Sequence, residues 1–391
     1  MLMLSAMTSG WAASTTARGG LTPTLRTLTP RWTVPGSRPS FRWPKTGEAA
    51  VAVAGVGLMG HSPRNWRVPI ASLAKMMTAL VVLADHPLAP GHTGPLVQIG
   101  PGDVQDYSED VQAGESTVRV SVGEVLTEYQ LLEALLLPSA NNIADRLATW
   151  DAGTIPRFVA KMNAMANGLG LRSTHYADPT GVDPRSASTA VDQALVASTL
   201  VADSVVLGIV RRRRVTFPVT GTLSNPNPAL GIDGIIGLKG GFSSQAHTCF
   251  VTAAFRSHHR VVVVSVALGQ PDAANAARID EALLEEASKK LGRHRLTTPG
   301  GTVGIVSSPG NEPSLKLIAP NRPRAAVVWP GLQLSEIITA EPGTSAATLA
   351  STQAGSVVGV LKVSAPWGVL VTAPVRLAAT PFHPAHLHGH G

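Results

Sequence analysis

The sequence predicts a mixed α/β (α+β) fold: an antiparallel β-sheet flanked by helices, a helical subdomain beside it, and a small all-β module at the C-terminal end. Three observations carry this. An early apolar run at 49–56 and two β-branched runs at 248–255 and 260–267, joined by a short polar loop, read as sheet strands, the latter two as an antiparallel hairpin. Good helix formers dominate several apolar segments between 72 and about 200. Beyond about residue 295, short Val, Ile and Thr runs recur between Gly and Pro turns.

Taken in order, AAVAVAGV at 49–56 forms a strand that turns at Gly57. SLAKMMTALVVLAD at 72–85 is apolar on nearly every face, and such a helix is a buried one. The stretch 103–120 reads as irregular structure with short strands. A helix over 127–137 starts at the candidate N-cap Thr127 and is stopped by Pro138. Helices at 141–150 and 155–168 follow, then turn chemistry in YADPTGVD at 176–183. Residues 232–238 form a strand leading into Lys239, and 276–291 a helix with apolar spacing at Ile279, Leu283 and Leu284. The last module takes its strands from 303–306, 325–329, 336–340, 357–363 and 369–372. The expected domains are a leader and a linker rich in Thr, Pro, Arg and Gly over 1–45, without fold of its own, and a catalytic domain over 46–294. After them come the β module over 295–380, a spacer or docking surface, and a disordered tail over 381–391 carrying His383, His386, His388 and His390.

Composition excludes several classes. With 15% charged residues and 30 prolines among 391 residues, a coiled coil is out, and the 38 glycines follow no G-X-Y period. The longest aliphatic runs, near 130–137 and 261–268, fall short of the roughly 20 residues that cross a bilayer. The formal charge of +7 is compatible with ordinary surface charge and suits anionic surroundings such as a polyanionic cell wall, a membrane surface or nucleic acid. The run Arg211 to Arg214 reads as a solvated loop, and no zinc-ligand spacing or aromatic-basic interleaving points to nucleic acid. The one cysteine, Cys249, has no partner for an internal disulfide and sits in an apolar stretch as an inert thiol.

Three short patterns carry chemistry. Ser72-Leu73-Ala74-Lys75 is an S-x-x-K, and at a helix start positions i and i+3 face one side. A serine hydroxyl needs a base, and a buried lysine supplies one when desolvation and a second cation lower its pKa. Ser139-Ala140-Asn141 follows Pro138 and offers a second hydroxyl to pass a proton and an amide to hold a substrate carbonyl; taken alone, it reads equally as a helix N-cap. Lys239-Gly240-Gly241 offers a cation and an approachable backbone on an edge strand; taken alone, it is a strand end and a turn.

The order and spacing of the three, with the flanking stretches 69–79, 137–142, 178–183, 225–227 and 234–239, resemble the D-alanyl-D-alanine carboxypeptidases. These are the low-molecular-mass penicillin-binding proteins, serine peptidases of the β-lactamase/transpeptidase-like fold. The resemblance runs over roughly residues 45–290. It implies a peptidoglycan stem peptide ending in D-Ala-D-Ala as substrate, β-lactams as covalent inhibitors, no cofactor, no metal and no nucleic acid. It also implies an extracytoplasmic location with cell-wall or membrane-surface association. Ser72 is then the nucleophile, Lys75 its proton acceptor, and Ser139, with Lys239 near it, the donor to the leaving D-alanine. Asn141, Lys239, Gly240, Gly241 and Ser243 bind substrate, and the backbone N–H groups of Ser72 and Phe242 form the oxyanion hole. The chain departs from the family pattern at Gly240, where Thr or Ser is usual. Losing a hydrogen bond to the substrate's terminal carboxylate costs roughly 1.5–3 kcal/mol, about 10- to 150-fold, unless Ser243 or Ser244 stands in. A class A β-lactamase needs a glutamate to activate the deacylating water, and none occurs between Glu133 and Glu281. Another serine acyl-transfer enzyme or a degenerate wall-binding protein are the remaining alternatives.

Overall fold

The computed structural model describes residues 24–378 except 257, 259, 309–310, 343 and 345–351. The expected leader up to residue 23 and the His-rich tail lie outside the described residues. The chain forms two compact units, one spanning Pro39–Leu291 and one made of the residues up to Arg38 together with those from Gly292 onward.

In the first unit a five-stranded antiparallel sheet is built from β1 (Glu48–Val53), β2 (Gly57–His61), β3 (Ile235–Ser243), β4 (His247–Arg256) and β5 (Val261–Gln270), in the order β3-β4-β5-β1-β2. Its helices are α1 (Ala74–Asp85), α2 (Pro101–Gln112), α3 (Glu128–Leu136), α4 (Asn141–Ala152), α5 (Ile155–Gly168), α6 (Ala190–Leu200), α7 (Ser204–Val210) and α8 (Ala273–Lys290). Every residue of β1 is buried, because both its faces are covered. Helix α6 packs on β1 and β5, and α8 on β4 and β5. The strand register fixes which face carries the chemistry. Leu238 lies opposite Thr252, and Lys239 opposite Val251. Thr252 and Ser265 donate hydroxyl hydrogen bonds to Asp280 of α8 (2.6 and 2.7 Å). Since neighbours alternate along a strand, Lys239 projects from the face away from α8. Helix α1 is buried almost all round, as its composition predicts, and packs against α3, α4, α5 and α6.

Asp280 is fully buried, and burial raises its pKa to about 7 against the pull of its two hydroxyl partners. A folded-state pKa above the unfolded value means its contribution is intact below about pH 4 and is lost as pH rises through 7. Asp280→Asn keeps the two hydroxyl contacts and removes the ionisation. It is expected to be more stable than wild type by roughly 3 kcal/mol at pH 8, the gain shrinking towards zero near pH 4. Urea melts at the two pH values measure this.

Two expectations need correction. The stretch 103–120 contains helix α2 instead of irregular structure and short strands. The face it half-buries, Asp103, Val104, Asp106, Tyr107 and Asp110, is mostly acidic, so no apolar stripe marks it; it is specified by Pro101 in its first turn and by the Gly100 N–H donated to the Asp103 carboxylate (2.7 Å). Residues 24–45 are not a linker. Thr24–Thr27 and Arg31–Thr33 are outer strands of a seven-stranded antiparallel sheet in the second unit, pairing with Thr302–Ser308 and Gln333–Ala340. Trp32 donates its indole N–H to Glu336 (2.7 Å), and Val34 is fully buried. The pairing partners lie some 280–300 residues away, so no local pattern reveals them. Residues 39–45 belong to the first unit, where Phe41 and Trp43 pack over Gly60. The remaining strands of the larger sheet are Asn311–Ile318, Gly368–Leu377 and Val357–Ala365. Cys249 is buried, and burial pushes its thiol up to about 11, which keeps it inert.

Candidate active site

Ser72 sits in a single 3-10 turn, Ala71–Leu73, that runs directly into α1. The turn brings Lys75 Nζ to 2.8 Å from Ser72 Oγ. Ala71, immediately before the serine, has φ +46°, a left-handed conformation that costs an L-residue on the order of 1 kcal/mol. The segment around Gly181 holds it there: a Cβ on Gly181 would lie 1.8 Å from the Ala71 carbonyl oxygen.

Lys75 is fully buried and makes two further contacts, to Asn141 Oδ1 (2.5 Å) and to the Thr180 carbonyl (3.0 Å). Burial lowers its pKa to about 8, against the opposing charges of Asp178, Asp145, Glu115 and Asp110. The Thr180 carbonyl is held by a well-bonded turn. The Asp178 carboxylate accepts from the N–H groups of Gly181 and Val182 (2.9 Å each) and from the hydroxyls of Thr180 and Ser186. Thr78 of α1 donates to the Pro179 carbonyl (2.7 Å), tying that turn to the helix that carries Lys75.

The Ser139 pattern lies between α3 and α4. Helix α3 begins with a Thr127 and Gln130 capping box and ends before Pro138. Ser139 then takes φ +66°, and its Oγ accepts a hydrogen bond from Lys239 Nζ (2.7 Å). The N-cap of α4 is Ala140, with no side-chain cap, so neither Ser139 nor Asn141 is spent as a helix cap. Lys239 is buried on β3, an edge strand, and its pKa is pushed well below the usual lysine value by burial and then by the charge of Lys75. Two amines therefore stand beside two serine hydroxyls, each with its ammonium form disfavoured.

The glycines after Lys239 set the width of the site. A Cβ on Gly241 would lie 2.8 Å from the Ser72 backbone nitrogen, so its absence lets β3 run close to the Ser72 N–H. At Gly240 a Cβ would meet the Phe250 ring at 3.1 Å. The position that usually carries a hydroxyl here faces an aromatic ring. Phe242 follows in the strand and is 70% exposed. Ser243 ends β3, and its Oγ accepts from the Ala246 N–H (3.0 Å), which leaves its own hydrogen free to be donated.

The structure thus brings Ser72, Lys75 and Asn141 into one hydrogen-bonded group, and Ser139 with Lys239 into another, with Gly241 against Ser72. It gives Ser243 a turn contact instead of one to these groups. The turn expected over 176–183 is present, held by Asp178, whereas sequence reasoning missed the Thr180 carbonyl, the left-handed Ala71 and Glu115, whose carboxylate accepts from Asn141 Nδ2 (3.1 Å). All four residues of the Arg211–Arg214 run are exposed, as expected, while Arg212 pairs with buried Glu133 (2.7 Å) and Arg213 donates to the Leu230 carbonyl (2.9 Å).

Comparison with known proteins gives a consistent result. The profile of the family described as D-alanyl-D-alanine carboxypeptidase matches residues 58–271. The D-alanyl-D-alanine carboxypeptidase DacB2 of Mycobacterium tuberculosis is 34% identical over 207 residues, 51% of this chain and 67% of that protein. A D-alanyl-D-alanine endopeptidase of Pseudomonas aeruginosa is 40% identical over 133 residues, 34% of this chain and 40% of that protein. The chain thus spans two thirds of the first relative and less than half of the second. In structure, penicillin binding protein 5 from Haemophilus influenzae superposes with a TM-score of 0.62 at 19% identity, covering 88% of this chain and 99% of that one. This shares the mixed α/β architecture with its antiparallel sheet.

Proposed function

Because the chain belongs to the D-alanyl-D-alanine carboxypeptidase family of serine peptidases, we propose that it removes the terminal D-alanine from peptidoglycan stem peptides through an acyl-enzyme on Ser72. The observation that carries this is the environment of Lys75. As a neutral amine it has two hydrogens and one lone pair. Asn141 Oδ1 and the Thr180 carbonyl take the hydrogens, and the lone pair is left for the Ser72 hydroxyl at 2.8 Å.

Ser72 Oγ attacks the carbonyl carbon between the two D-alanines while Lys75 takes its proton. The oxyanion lies between the N–H groups of Ser72 and Phe242, donors worth on the order of 3 kcal/mol each in the transition state. Ser139 delivers a proton to the leaving amine, drawing on Lys239, whose low pKa suits it to proton exchange. Asn141 keeps its second amide hydrogen for the peptide carbonyl. Water then releases the shortened peptide. A β-lactam enters the same path and leaves Ser72 acylated. Lys239 and the free hydroxyl hydrogen of Ser243 receive the terminal carboxylate, with no help from position 240. A peptidoglycan substrate sets the working place outside the cytoplasmic membrane. Among the described residues no single helix is long and apolar enough to cross a membrane.

The test is the intact mass after incubation with benzylpenicillin, run beside Ser72→Ala, together with D-alanine release from a D-alanyl-D-alanine peptide. One adduct and D-alanine release on wild type, with neither on the variant, are expected. A folded wild type without adduct under prolonged exposure sinks the proposal.

A further inference from the structure

Glu115 lies in the loop after α2, outside every motif that marks the site. That loop is bolted to the start of α4. The Asn141 N–H donates to the Ser116 carbonyl (2.8 Å), Asn142 Nδ2 donates to the Val118 carbonyl (2.9 Å), and the Val118 N–H donates to Asn142 Oδ1 (3.1 Å). The Glu115 N–H donates to the Asp110 carbonyl (2.9 Å), which ties the loop to the end of α2 as well. Held this way, Glu115 Oε2 accepts from Asn141 Nδ2 at 3.1 Å, while the other end of the same amide, Oδ1, accepts from Lys75 Nζ.

We infer that Glu115 is a positioning residue that fixes the Asn141 amide with its oxygen, not its nitrogen, towards Lys75. The role rests on the reading of Lys75 as the base. An ionised carboxylate only accepts hydrogen bonds, so Glu115 can pair with the NH₂ end of the amide and not with its oxygen. A flipped amide would turn Nδ2–H towards Lys75 and donate to the lone pair that Ser72 needs. Glu115 therefore acts on the reaction through two side chains, touching neither the nucleophile nor the base. It has a second effect through charge. With Asp178, Asp145 and Asp110 it opposes the loss of Lys75's charge, which burial favours. Glu115 is exposed, so this effect is screened by salt.

The experiment measures the second-order rate of acylation by benzylpenicillin between pH 6 and 10 on the full chain, for wild type, Glu115→Gln and Glu115→Ala. Glutamine keeps an acceptor for Asn141 Nδ2 and loses the charge. It is expected to hold the plateau rate at high pH within about threefold and to move the rising limb to lower pH. Alanine loses the acceptor, and its plateau is expected to fall about tenfold. An alanine variant acylated at the wild-type rate across the range overturns the role, and so does a glutamine variant as slow as the alanine one. A wild type that takes no penicillin at all overturns the reading of the site itself, and this role with it.

Discussion

Replacing Lys75 with methionine is expected to lower the rate of Ser72 acylation by benzylpenicillin by about 10²- to 10⁴-fold, the usual contribution of a positioned general base. Methionine fills most of the buried volume, so the loss reports the missing amine and not a cavity. The pH profile carries the sharper signature. As the proposed base Lys75 acts in its neutral form, and burial holds its pKa at about 8. Below that value the wild-type rate should rise about tenfold per pH unit, flattening above it. Lys75→Met should lose this limb. A variant that keeps both the wild-type rate and the rise assigns the base elsewhere, Lys239 being the obvious candidate, since its ammonium form is also disfavoured. Rates at six or more pH values on both proteins separate the cases.

Gly181→Ala is expected to have the second large effect. Its φ of +84° already disfavours an L-residue, but the space matters more: the new Cβ would sit 1.8 Å from the Ala71 carbonyl oxygen and 2.4 Å from its carbonyl carbon. Either the Asp178 turn or the Ala71–Ser72 turn must move. Both carry the site, the first through the Thr180 carbonyl on Lys75, the second through Ser72, the proposed nucleophile. Acylation should fall by more than two orders of magnitude, since displacements near 1 Å cost about 10²-fold, and stability by roughly 3 kcal/mol or more. Gly55→Ala supplies the control. Its φ is +71°, yet a Cβ there meets nothing within 4 Å, so it should cost about 1 kcal/mol and leave acylation unchanged. Equal behaviour of the two variants in urea melts and acylation assays would show that backbone conformation alone, not the close approach, sets the requirement at 181.

The parts of this site that were legible in the sequence are those whose chemistry is local. Ser72 and Lys75 are one helical turn apart, so their spacing already implies their contact. Ser139 and Lys239 are 100 residues apart and meet at 2.7 Å, and only their company with the other motifs suggested it. The buried α1 was readable because burial on all sides leaves an unbroken apolar run. Helix α2 was not, because the face it half-buries against α4 is mostly acidic and leaves no apolar run to read. Glu115 and the Thr180 carbonyl escaped for a different reason. A carbonyl has no residue identity, and an exposed glutamate in a polar loop looks like any other until the fold sets it against Asn141. The short strands at 24–33 were hidden by distance along the chain: a strand without its partner looks like a linker.

Those same two strands impose an order of events during synthesis. Residues 24–33 leave the ribosome before any of the catalytic unit, yet the strands they pair with, at 302–308 and 333–340, come after all of it. The residues at 39–291 can therefore complete their own fold while these early segments still wait for partners, and the closing of so long a loop favours late docking. A ribosome stalled near residue 330, with the unit at 39–291 just clear of the exit tunnel, would carry an assembled Ser72 and Lys75 pair, and the outer strands of the β-rich unit would still be without partners.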